Sequence, residues 1–232
     1  MTEFVKYPSS PIAADGWIIV AIGTMLTIAL GIPSAILDNA EYPTLKPVMA
    51  ALAAVALLFV IFSLWFFRDP SRMPAESGPQ VVVSAADGTV LKVESVNDPR
   101  YGAPSEKISI FMSPLNVHVN RAPIQGTVEK VEYVKGKFFA ANLDKASTDN
   151  ERNLVIIRRD DGVRIGFLQI TGFIARRIVC HVKAGDRLEI AQRYGMIRFG
   201  SRMEMFLPAG SKVSVKPGDV LAAGQTVVAK LP

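Results

Sequence analysis

Two long runs without a charged residue lie in the first third of this 232-residue chain, and they restrict its fold more than any other feature. Residues 16–37 (GWIIVAIGTMLTIALGIPSAIL) and 47–67 (PVMAALAAVALLFVIFSLWFF) each match the ~20 residues that cross a hydrocarbon core as helix. Gly23, Gly31 and Pro33 would weaken a helix in water, but bilayer helices tolerate them. Trp17 and Trp65-Phe66-Phe67 stand near the ends of the runs, where aromatic rings favour the membrane–water interface. A cleaved signal peptide fits the first run badly, because the run is too long and no small-x-small site follows it. The link 38–46 (DNAEYPTLK) is short and polar, so the helices are predicted to form a transmembrane hairpin with both ends on one side. Lys6, Arg68 and Arg72 flank the hairpin against Lys46 in its loop, a bias that puts the following domain on the cytoplasmic side of the cell (inner) membrane. A single cysteine, Cys180, excludes an intramolecular disulfide framework and agrees with a reducing compartment.

Beyond residues 1–67, the stretch 68–80 (RDPSRMPAESGPQ) reads as a linker, and 81–232 reads as β structure. Short apolar or alternating runs such as Val81-Val82-Val83, Ile108-Ser109-Ile110-Phe111 and Leu154-Val155-Ile156-Ile157 are bounded by turn residues. Residues 138–152 are polar and irregular, as in a surface loop. Two internal echoes stand out. Val182-Lys183-Ala184-Gly185-Asp186-Arg187-Leu188 returns as Val215-Lys216-Pro217-Gly218-Asp219-Val220-Leu221, and Asp87-Gly88-Thr89-Val90 returns as Gln125-Gly126-Thr127-Val128. Repeated strand–turn–strand units predict a mainly β, barrel-sandwich-like domain of short strands, similar to biotinyl and lipoyl domains. No lysine sits in a Met-Lys-Met-like hairpin, which disfavours a swinging-arm carrier.

The formal charge is +5, with basic residues at Arg158-Arg159, Arg176-Arg177 and from Arg193 to Arg202. The chain lacks an aromatic-interleaved basic patch or a helical reading motif, so nucleic acid is not the expected partner. Beside a membrane hairpin, attraction to anionic head groups explains the balance better.

Few residues can carry chemistry. The two histidines, His118 and His181, are 63 positions apart and no zinc-type spacing appears, so no metal is expected. Dinucleotide and phosphate-loop motifs are absent. Cys180-His181 reads as the end of a buried strand. His118 sits in an alternating context that suggests a strand, and Asp87 precedes a glycine as turn formers do. Asp87, His118 and Ser201 follow the chain order of subtilisin-type triads, although such sites are defined by geometry. The Gly200-Ser201 bond has a latent reaction of its own. Attack of the Ser201 hydroxyl on the Gly200 carbonyl shifts the acyl group from nitrogen to oxygen. Elimination from the ester and loss of ammonia then turn the serine into an N-terminal pyruvoyl group.

Several separated segments agree with one family. They are Phe66-Phe67-Arg68-Asp69-Pro70, Ala86-Asp87-Gly88, Phe111-Met112-Ser113-Pro114 with Val117-His118, and Asn150-Glu151-Arg152. Further along come Gln169-Ile170-Thr171-Gly172 leading to Ala175-Arg176-Arg177-Ile178, then Gly185-Asp186, and finally Met196-Ile197-Arg198-Phe199-Gly200-Ser201. Over about residues 66–222 the chain resembles phosphatidylserine decarboxylase proenzymes of the short bacterial type. The resemblance implies self-cleavage between Gly200 and Ser201 into a β chain (1–200) and an α chain (201–232) that remain together as a heterodimer, with any higher oligomer left open. It implies a covalent pyruvoyl cofactor from Ser201 that forms a Schiff base with phosphatidylserine in the membrane, releases CO2 and yields phosphatidylethanolamine. His118 would be the base in cleavage, oriented by Asp87. Long-type members carry a second histidine where this chain has Arg121, whose guanidinium could hold the substrate carboxylate or phosphate. They also have Leu-Gly-Ser-Thr where this chain has Phe199-Gly200-Ser201-Arg202. Two other readings are a decarboxylase of another serine head-group lipid, of the archaetidylserine type, and a non-enzymatic membrane-tethered barrel-sandwich adaptor.

Overall fold

The computed structural model describes residues 10–101, 104–173, 177–198 and 200–232. Of the positions named above, Lys6, Ala175, Arg176 and Phe199 lie outside the described residues. The chain divides into two compact units, one within Pro8–Pro70 and the other containing Ser71–Pro232.

The first unit is a pair of helices, α1 (Trp17–Ile36) and α2 (Leu45–Phe66), both long and apolar enough to cross a membrane. Their pairing is antiparallel, because small residues of α1 meet successively earlier positions of α2. A β-carbon on Gly16 would strike the Phe67 ring, one on Gly23 would come within 2.8 Å of Val60, and one on Gly31 would touch Ala53. Close approach through glycine is how helices associate where the surroundings are as apolar as the side chains. The hydroxyls of Thr24, Thr27, Ser34 and Ser63 each donate to a backbone carbonyl three or four residues earlier in their own helix. Outward, the pair exposes Ile18, Met25, Val55 and Leu58.

The second unit is mainly β. In chain order its strands are β1 (Val81–Val83), β2 (Gly88–Val96), β3 (Ser105–Met112), β4 (Val119–Arg121), β5 (Gly126–Val134), β6 (Arg152–Arg158) and β7 (Arg164–Thr171). They continue with β8 (Ile178–Cys180), β9 (Arg187–Leu188), β10 (Arg193–Ile197), β11 (Ser201–Leu207), β12 (Lys212–Val213), β13 (Val220–Leu221) and β14 (Val227–Lys230). A short helix, α3 (Ala146–Asp149), interrupts the irregular stretch before β6. Eight strands form one sheet in the order β13-β2-β3-β11-β7-β6-β5-β9, with two three-stranded sheets, β1-β14-β12 and β4-β10-β8. All the pairings within these sheets are antiparallel.

The sequence echoes become a pseudo-twofold relation between the halves of the large sheet. β2 and β5 both open with Gly-Thr-Val and both carry a bulge at the next step of the ladder. Each is capped by a two-residue strand that follows a Gly-Asp corner. Val90 exchanges backbone hydrogen bonds with Gly218 and Asp219, and Val128 does the same with Gly185 and Asp186. In each corner the aspartate accepts from the lysine amide three residues earlier at 2.9 Å, and the glycine takes φ +94°, where an L side chain would be strained. The bulges bend the strands, so the sheet curls around an apolar interior. Met112, Phe167, Tyr194, Met203 and Met205 fill that interior, with Phe167 edge-on to Tyr194 at 4.8 Å. Over the other face of the sheet, Tyr101 stacks on Phe206 at 4.8 Å beside Leu154 and Ile156. The strand between β3 and β7, β11, is thus buried on both faces along its whole length.

Candidate active site

The Gly200-Ser201 bond lies at a corner between sheets. The chain leaves the three-stranded sheet at Ile197, the end of β10, and enters the centre of the large sheet at Ser201, the start of β11. Gly200 makes the corner with φ +70°, a left-handed conformation open to glycine at little cost. Register then gathers the other residues. Ser201 pairs with Met112 on one side and Thr171 on the other, the last residues of β3 and β7. Thr89 pairs with Phe111, so Asp87-Gly88 abuts the same end of the sheet. Val119 pairs with Met196, which brings the adjacent His118 alongside the approach to Gly200. Three positions far apart in sequence, 87, 118 and 201, thereby fall toward one end of the fold.

The hydroxyl of Ser201 is fully buried and points at the Met112 sulfur, 3.2 Å from Oγ. Met112 also contacts the amide of Asn120, which begins a chain of buried amides. Gln169 Nε2 donates to Asn120 Oδ1 at 2.9 Å, and Asn153 Nδ2 donates to Gln169 Oε1 at 3.0 Å. Such a connected network fixes the floor beneath the serine, since each amide is costly to leave without partners in an apolar interior. A second clamp acts on the strand beside it. Asn150 Nδ2 donates to the carbonyls of Thr171 at 2.7 Å and Phe139 at 2.8 Å, while its Oδ1 accepts from Phe139 N at 2.9 Å. The next residue, Gly172, has its α-carbon turned toward the Gly200 carbonyl.

His118 is fully buried, and its Nδ1 lies 2.9 Å from the Asn116 carbonyl oxygen. A carbonyl only accepts, so Nδ1 carries the proton and Nε2 holds the lone pair in the neutral ring, the tautomer that a base needs. The partner of Nδ1 is therefore Asn116 and not Asp87, to which the family resemblance gave the orienting part. The carboxylate of Asp87 sits in the fork of Arg72, with one short bond to Nη1 and a second from Nη2 at 2.9 Å, and accepts from Ala223 N at 2.8 Å. Arg121 is buried as well. Its Nη1 donates to the Ala191 carbonyl at 3.1 Å, and its Cδ occupies the space that a side chain on Gly224 would need. Arg121 thus braces a turn in which Ala191 takes φ +63°.

Cys180 contacts the Val182 carbonyl, and burial pushes its thiol up, as for a structural cysteine rather than a nucleophile. Among the described residues no group of three His, Cys, Asp or Glu is placed to hold a metal ion. Met112, Asn120, Asn150, Gln169 and Arg72 did not stand out in the sequence as site residues. All but Asn120 and Arg72 fall in segments that carry the family resemblance, which was the available signal.

This geometry agrees with comparisons against known proteins. A family profile described as phosphatidylserine decarboxylase matches residues 59–229. A phosphatidylserine decarboxylase proenzyme of Solidesulfovibrio magneticus is 51% identical over 180 residues, covering 77% of this chain and 83% of the relative. The proenzyme of Cupriavidus pinatubonensis is 41% identical over 98% of both chains. That of Burkholderia multivorans is 40% identical over 98% of this chain and 99% of its own. The chain belongs to the phosphatidylserine decarboxylase proenzyme family, and is a carboxy-lyase of phospholipid biosynthesis.

Proposed function

We propose that the chain cuts itself between Gly200 and Ser201 and that the new α chain begins with a pyruvoyl group, which then decarboxylates phosphatidylserine. The single observation that carries this reading is the placement of Ser201, buried at a glycine corner with Asp87 and His118 brought to the same end of the fold. His118 takes the hydroxyl proton as Oγ attacks the Gly200 carbonyl carbon. The C–N bond breaks as His118 returns that proton to the departing nitrogen, and the acyl group passes to oxygen. Elimination expels Gly200 as a carboxylate and leaves a double bond in residue 201, and addition of water with loss of ammonia gives the ketone. Asp87 supports the imidazolium electrostatically, since the Asn116 carbonyl already accepts the Nδ1 hydrogen bond.

The residues around Ser201 fit such a group. After cleavage the start of β11 stays hydrogen-bonded between β3 and β7, and β13 and β14 stay paired with β2 and β1. The α and β chains accordingly remain a heterodimer. The pyruvoyl group, once formed, supplies the electron sink for the pair released as CO2 departs. Arg121, three residues after His118, adds a buried positive charge to this end that favours an anionic head group. The hairpin holds the enzyme at the inner membrane, with Arg68 and Arg72 placing the β unit on the cytoplasmic side.

The test is conversion of phosphatidylserine to phosphatidylethanolamine by the purified full chain. Ser201→Ala should lose both cleavage and CO2 release. His118→Ala should stall cleavage, and cleavage at the wild-type rate would remove His118 from the base role.

A further inference from the structure

Two exposed apolar side chains stand on the loops that leave the sheet beside Ser201. Phe173, 68% exposed, lies two residues past the end of β7, and Leu115, 67% exposed, lies three past the end of β3. Those strands flank β11, and their last residues, Thr171 and Met112, are the register partners of Ser201. With strands spaced about 4.8 Å apart, the two loops leave the sheet roughly 10 Å from one another, on either side of the serine. The Leu115 loop is held firmly. Asn116 N donates to the Ser113 carbonyl at 3.0 Å, Ser113 N to Asn116 Oδ1 at 2.8 Å, and Leu115 N to Ser113 Oγ at 3.2 Å. Pro114 pre-sets the turn, so Leu115 is presented at its tip. The same turn supplies the carbonyl that holds His118 Nδ1. Arg177, exposed, lies on the same side, its carbonyl accepting from Arg198 N at 3.1 Å just before the Gly200 corner.

We infer that Leu115 and Phe173 dip into the surface of an anionic bilayer, with Arg177 against lipid phosphates, so that the Ser201 end of the β unit is the end that meets the membrane. Apolar tips beside a guanidinium match the acyl–head-group boundary, where one side of the contact is hydrocarbon and the other is phosphate. Exposed apolar side chains on the two loops that flank a buried serine suit a lipid surface. This inference rests on the functional reading above, because it takes the substrate to be a lipid delivered from the bilayer.

The experiment compares two substrates, long-chain phosphatidylserine in phosphatidylglycerol vesicles and short-chain phosphatidylserine below its micelle concentration. In Leu115→Asp/Phe173→Asp, processed to two chains as checked by mass, the vesicle-to-monomer rate ratio should fall at least tenfold. An unchanged ratio would overturn the inference, as would equal losses on both substrates. If the wild-type enzyme releases CO2 from neither, the functional reading fails instead. The rim is then tested alone with a fluorophore on Phe173→Cys in a Cys180→Ser chain reconstituted in the same vesicles. Its emission should resist an aqueous quencher more than a fluorophore on Asp161→Cys, and equal quenching would sink the contact.

Discussion

The carbonyl oxygen of Gly200 occupies the place where a side chain on Gly172 would begin: a β-carbon there would stand 2.4 Å from that oxygen and 3.2 Å from the carbonyl carbon. Gly172 therefore leaves room for the carbonyl that the proposed self-cleavage has Ser201 attack, and Asn150 fixes its strand through the Thr171 carbonyl. Gly172→Ala must push that carbonyl aside. Self-cleavage should slow at least tenfold, equivalent to about 1.4 kcal/mol of barrier, while circular dichroism stays that of the wild type. Gly126→Ala controls for strain alone, because its β-carbon would press on the Arg158 backbone of β6 instead. Equal cleavage rates in the two variants would remove Gly172 from this part.

Arg72 and Asp87 form an ion pair whose side chains are only 9% and 11% exposed. Removing one partner of such a pair typically costs about 3–5 kcal/mol because the other charge is left buried. Arg72→Ala and Asp87→Ala should each lower the thermal midpoint of the Ser201→Ala chain. The double variant should lose less than the sum, and strictly additive losses would show that the pair is not coupled.

The first residues of β11 carry a second buried pair. Arg202 Nη2 meets Glu204 Oε1 at 2.8 Å and Ser109 Oγ at 2.9 Å, and Ser147 Oγ closes on Glu204 at 2.6 Å. Glu204→Leu should destabilise the chain by about 3–5 kcal/mol, as an uncompensated buried guanidinium does. Arg202→Met/Glu204→Leu should recover most of that loss in a denaturant titration.

Acid should loosen the β2–β3 ladder. Hydrogen bonds from Lys107 and Lys92 hold the Glu94 carboxyl below its ordinary range. A depressed folded value means that the contribution is present above the unfolded value and disappears as pH falls through the folded one. Glu94 is partly solvated, so about 0–1 kcal/mol is at stake. Glu94→Gln should be slightly less stable than the wild type at neutral pH. The difference should vanish at acid pH, below both values.

The hairpin and the repeat were legible because each rests on local pattern: charge-free runs long enough for a bilayer, and Gly-Asp corners that demand one turn geometry. Asp87, His118 and Ser201 were legible as separate residues through a family pattern. Their contacts were not, since a side-chain partner is set by register between strands far apart in sequence. Asn116 accepts the hydrogen bond from His118 Nδ1 because the Ser113 turn aims its carbonyl there. Arg121 was read as a group for the substrate carboxylate or phosphate because it stands three residues after His118, where long-type members carry a histidine, and its contacts with Ala191 and Gly224 were not legible from that. Arg202 and Glu204 look like surface charges in the sequence, and only the loop at 138–149 lying across β11 makes them a buried pair.

The central claim, that the Gly200-Ser201 bond is the chain's own first substrate, is tested most directly by intact mass under denaturing conditions. Active protein should give two chains, with the smaller one starting at residue 201, lacking a free amine and shifting in mass with hydroxylamine. A single uncut polypeptide in fully active enzyme would contradict it.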